Sequence, residues 1–187
     1  MTIADLWLAI LLSAVFVFVA SSILHMVLPI HKADFKKLPG EAEVMDAMRA
    51  QGVQPGDYMF PNASSMKECG SPEMVAKFNQ GPVGLLTVIP SGPPAMGKCL
   101  VQWFLYSVLI SFFVAYIATF SLAAGDHYLK VFRLTGTIAV VGYAFGQVNN
   151  SIWKGVSWWT TVKFIFDGVI YGLVTAGVFG WMWPQAA

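Results

Sequence analysis

LWLAILLSAVFVFVASSILHMVL, residues 6–28, runs for twenty-three positions without a charged side chain. At about 1.5 Å of rise per residue it makes a helix of about 34 Å, enough to cross a hydrocarbon core of about 30 Å with some tilt. The run carries His25 in its last turn and leads directly into Pro29, Ile30 and His31. Its leader, Met-Thr-Ile-Ala-Asp, has no Lys or Arg, and its apolar core exceeds the h-region of a signal peptide, so it is expected to stay as an anchor. Everything downstream can be placed by the membrane face it shares with the histidine-bearing end.

The composition agrees with a lipid-solvated chain. Of 187 residues, 57% are hydrophobic and only 11% charged, against about 25% charge in soluble domains. A net charge of +1 carries no basic excess, which sets nucleic-acid binding aside. Cys69 and Cys99 stand apart, with no CxxC pattern and no neighbouring histidine, so neither a zinc cluster nor a disulfide framework is indicated.

Three further apolar runs follow, at 100–124, 132–148 and 164–183, with Arg133 expected to snorkel at the start of the shortest. The fold class is therefore an all-α integral membrane protein, a four-transmembrane-helix bundle with a small irregular α+β loop domain between helices 1 and 2. Its parts are residues 1–30 as the first helix, 31–98 as an extramembrane domain, and 99–187 as helices 2–4, with a Trp-rich interfacial segment at 150–162. Four crossings put both termini on one face and the two larger loops on the other. Near the helix ends, Lys32, Lys36, Lys37, Lys98, Lys154 and Lys163 collect on the loop face, whereas the terminal face has Lys130 and Arg133. By the positive-inside rule the loop domain is cytoplasmic and both termini are not; a bacterial inner membrane is the expected setting. All seven tryptophans then fall near a predicted helix end or in the short loop, where an amphipathic ring is at home.

Within 31–98, Glu41–Ala50 reads as a weakly amphipathic helix. Ser71-Pro72-Glu73 is a stronger start signal, with Ser as N-cap, Pro at the first position and an acid in the first turn. The runs 57–60 and 85–89, bounded by Pro and Gly, are expected to pair as strands. In the membrane, association must come from close packing over small residues. Ser107, Ser111, Ala115 and Thr119 supply one such stripe, and Gly142/Gly146 with Gly168/Gly172 predict a tight antiparallel hairpin of helices 3 and 4.

Polar side chains at membrane depth are costly and mark functional candidates. His25, Gln102, Gln147, Asn149, Asn150 and Asp167 are all expected near the loop-side ends of their helices, with His31 and Asp34 just outside. One reading is a metal or proton site of His25, His31 and Asp34, joined by Asp167, although spacings of six and three do not put the first three on one helical face. A second uses Ser21, one turn before His25, to leave room for a tetrapyrrole ligated by His25. Asp167, four residues after Lys163, is expected in the first turn of helix 4, complementing the helix N-terminus and pairing with a nearby cation. Asn149 and Asn150 are expected to cap helix 3. No metal motif, nucleophile–base pair or phosphate loop is present, so no cofactor is predicted beyond that possible metal or tetrapyrrole. The preferred function is a non-catalytic accessory or scaffold subunit of a larger membrane complex, in contact with lipid and with a membrane-protein partner or further copies of itself. The alternative is a homo-oligomeric channel lined by Ser107, Ser111 and Thr119.

Overall fold

The computed structural model describes residues 1–186 and is mostly helical: four long apolar helices packed together, and a two-stranded sheet lying in sequence between the first and second of them. The chain divides into two compact units, Met1–Phe35 with Ala95–Ala187, and Lys36–Pro94.

The four helices long and apolar enough to cross a membrane are Ile3–Val27, Met96–Ser121, Tyr128–Lys154 and Trp158–Met182, here the first to fourth spans. The first is α-helical over Trp7–Ser22, opens with a 3-10 turn at Ile3–Leu6 and closes with a π turn at Ile23–Val27. Pro29 explains that end: it has no N–H to donate, and the final bond runs instead from Leu28 N–H to the Ile23 carbonyl.

The most extensive pairing is between the third and fourth spans, as the glycines predict, but the opposing residues differ. A Cβ on Gly168 would come within 2.8 Å of Ala144 Cα, and one on Gly172 within 2.9 Å of the Val140 backbone nitrogen. Gly142 instead meets Ile110 of the second span, and nothing approaches Gly146. The small stripe of the second span also drifts from its expected register. Ser107, Ser111, Val114, Ala115 and Ala118 are buried, while Thr119 is turned partly outward and donates to its own Tyr116 carbonyl. A period of 3.6 rather than 4.0 accounts for the shift over three turns.

Two boundaries need correction. The third span continues through a 3-10 turn at Phe145–Gln147 into the helix Val148–Lys154, so Asn149 and Asn150 lie inside a helix rather than capping one. The left-handed cap is Gly155, at φ +67°. The fourth span then begins at Trp158, which places Asp167 well inside it rather than in the first turn. The 150–162 segment is accordingly a helix end, a three-residue link and a helix start.

At the terminal end the polar atoms of the backbone are closed by specific bonds. Trp183 Nε1 donates to the Ala123 carbonyl at 2.9 Å, and Gly125 N–H to the Pro184 carbonyl at 2.8 Å. Asp126 accepts from Ala123 N–H and from Lys130, which hold its carboxyl below the ordinary aspartate range, the lysine bond being the larger cause. Leu6, Leu122, Val131, Phe179 and Trp183 bury an apolar plug at this end.

The smaller unit pairs β1 (Gly56–Phe60) antiparallel with β2 (Gly84–Val88), Gly56 opposite Val88 and Phe60 opposite Gly84. Helices Glu41–Ala50, Met66–Cys69 and Pro72–Gln80 accompany them, the last capped by Ser71 Oγ accepting from Met74 N–H. Met74 is its only buried apolar side chain among the described residues, the expected poverty of so short a segment.

Candidate functional site

The polar groups of the helical unit converge at the end opposite the terminal plug. The π turn advances His25, and the 3-10 turn Pro29–His31 folds the chain back, so two histidines six residues apart stack with ring centroids 4.2 Å apart. An uninterrupted α-helix would have set them on different faces. Phe164, from the fourth span, lies against His31 with centroids 5.2 Å apart.

His31 is held from both sides. Its Nδ1 lies 2.7 Å from Asp34 Oδ2, and since a carboxylate only accepts, Nδ1 carries the proton. Asp34 is in turn paired with Lys163, whose ammonium also donates to the Ile30 carbonyl at 3.1 Å. On the other side His31 Nε2 stands 2.9 Å from Asp167 Oδ2, and His25 Nε2 stands 3.5 Å from the same oxygen. Asp167 is 1% exposed, yet neither of its oxygens has a directed hydrogen bond, and neither has His31 Nε2. Three buried polar atoms without a well-directed hydrogen bond thus meet at one point. His25 Nε2, His31 Nε2 and a carboxylate oxygen of Asp167 all lie within 4.8 Å of one another.

The expected residues sort as follows. His25, His31, Asp34 and Asp167 come together, but Lys163 pairs with Asp34 and not with Asp167. Gln147 accepts from Asn150 Nδ2 at 3.1 Å, and both line a cavity of about 380 Å³ that reaches Asp34. Gln102 and Asn149 are turned to the outside and join neither group. Ser21 is buried, donating to Phe18 O and accepting from Trp103 Nε1 at 2.8 Å, so an indole already occupies the position one turn before His25. Trp103 is therefore used inside the bundle, unlike Trp7, Trp153, Trp158, Trp159 and Trp181, which are exposed. Ser107 and Ser111 are buried within the single chain.

Beside the histidines lies a larger cavity of about 560 Å³, walled by Trp103, Tyr106, Tyr143 and Tyr171, with His25 and Asp167 at its polar end. Sequence reasoning missed these aromatic residues and Lys163's partner. One signal was available: Lys163, Asp167, Tyr171 and Thr175 recur every four residues on one face of the fourth span, and all four are buried. A polar stripe on an otherwise apolar transmembrane face is a functional pointer.

No family model matches the chain, and neither a curated protein nor a solved structure resembles it.

Proposed function

We propose that this integral membrane protein binds a divalent transition-metal ion through His25, His31 and Asp167. The observation that carries the reading is the pair of imidazole nitrogens turned on one buried carboxylate, all three atoms within 4.8 Å and two of the three without a well-directed hydrogen bond. Two histidines and one carboxylate suit zinc or iron(II) and leave coordination positions open. Asp34 moves from ligand to orienting partner: its bond to Nδ1 fixes the tautomer that presents Nε2, the usual carboxylate–histidine–metal arrangement. Titration of the purified protein with zinc should give one equivalent bound. His31→Ala should abolish binding, and Asp34→Asn should weaken it by about 10- to 100-fold. Wild-type protein that takes up no zinc, or takes it up equally well as His31→Ala, would refute the reading.

Charge balance favours a second reading. Were His31 to carry a proton on both ring nitrogens, it and Lys163 would neutralise Asp34 and Asp167, and the cluster would be an ion-pair ladder joining the end of the first span to the fourth. In that case no metal binds, and Asp167→Asn costs folded protein.

The basic residues beside the helix ends support a cytoplasmic position for this site and non-cytoplasmic termini, in a membrane of the bacterial inner type. Reporter fusions at the two termini test it. Small size and an apolar outer surface support a role as an accessory subunit of a larger assembly, for which co-purification of a stoichiometric partner is the test. No observation favours conduction.

A further inference from the structure

The cavity next to the histidines constrains what it accepts. Most of its polar wall atoms are already used. Trp103 Nε1 donates to Ser21 Oγ, Tyr106 OH to the Gly142 carbonyl at 3.0 Å, and Tyr143 OH to the Ser107 carbonyl at 3.4 Å. These three side chains therefore offer the cavity ring surface, and their rings meet one another and Tyr171 at centroid distances of 5.5 to 6.2 Å. Two buried lining groups have hydrogen-bonding capacity to spare: the Tyr171 hydroxyl has no partner, and the Asp167 carboxylate, although 2.9 Å from His31 Nε2, accepts no well-directed bond, at 4% and 1% exposure. Leaving such groups unpaired at membrane depth is costly. Of its exposed lining residues Met26, Met96 and Leu100 are apolar, beside His25 and Tyr106, so the opening is largely apolar.

We infer that the cavity binds a lipid-soluble phenol or hydroquinone, its ring against the Trp103–Tyr143–Tyr171 wall and its hydroxyl between Asp167 and Tyr171. A hydroxyl is the smallest neutral organic group that can both donate to a carboxylate and accept from a phenol, while an aromatic body gains from offset or edge contacts with the wall. The volume of about 560 Å³ lies within the usual range for small-molecule sites. The inference shares Asp167 with the proposed metal site but does not need the ion.

The test uses 4-hexylphenol and its O-methyl ether, which keeps the ring and tail but cannot donate. Each is titrated into full-length protein in lipid nanodiscs, followed by Trp fluorescence, once after chelator treatment and once zinc-loaded. Saturable binding of the phenol by chelator-treated protein, with the ether about tenfold weaker and Tyr171→Phe about tenfold weaker for the phenol, is the expected result, about what one lost hydrogen bond gives. Tyr171→Phe removes only a hydroxyl that bonds to nothing else, so its folding is expected to be normal. Equal, non-saturating uptake of phenol and ether would overturn the inference as mere partition into lipid. Binding that appears only in zinc-loaded protein would overturn it too, since the oxygen would then be held by the ion. Phenol binding in a protein that takes up no zinc leaves this inference standing and removes the metal reading.

Discussion

The two ends of the helical unit solve the same problem in opposite ways. Both must end four helices at the edge of an apolar medium without leaving backbone or side-chain polar groups unpaired. The terminal end does so with local bonds, Trp183 to Ala123, Gly125 to Pro184 and Asp126 to Lys130, over a plug of Leu6, Val131 and Phe179. The histidine end draws its partners from 129 or more residues away, Lys163 to Asp34 and Asp167 to His31, and still leaves His31 Nε2 and Asp167 without directed hydrogen bonds. A closed end is a matter of stability; an end with buried atoms to spare is where a ligand can act.

The contrast can be broken by substitution. Lys163→Ala should have the largest effect, on the order of 3–5 kcal/mol, because it takes the cation from a buried Asp34 carboxylate and leaves it only the His31 Nδ1–H. Combining Lys163→Met with Asp34→Leu should recover most of that loss, since an apolar pair has no desolvation cost to repay. Unfolding in a detergent titration measures both, and a double variant as unstable as the single would show that Asp34 matters chiefly through His31. Trp183→Phe, at the closed end, removes one hydrogen bond and trims a buried indole to a phenyl ring, for about 2 kcal/mol. A larger cost than Lys163→Ala would reverse the ranking of the two ends.

Asp126→Asn is the smallest of these. The folded carboxyl titrates below the ordinary aspartate value, so whatever it contributes is present above that value and is lost only as pH falls through the lower, folded one. The substitution should therefore have the same effect at pH 5 as at pH 7. A different cost at the two values would mean that the folded carboxyl titrates above, not below, the ordinary aspartate value.

Run length and small-residue spacing were enough to read the four helices, the hairpin of the third and fourth spans and the paired strands, because each is set by local chemistry. The joins were not legible to the same degree. Gly155 rather than Asn150 ends the third span, and the fourth begins six residues before the apolar run does, since Trp158 and Lys163 are helical without being part of that run. The site was legible in its residue types but not in its pairing. His25 and His31 meet only because Pro29 forces a π turn and a reversal, which helical spacing does not describe. Lys163 four residues before Asp167 suggested a pair, whereas the tertiary fold sends that lysine to Asp34.

The most direct test of the histidine end is X-ray absorption at the zinc edge on metal-loaded protein. The account predicts two imidazole nitrogens at about 2.0–2.1 Å with oxygen completing the shell, falling to one imidazole in His25→Ala. A spectrum with no imidazole scattering, or one unchanged by that substitution, would contradict it.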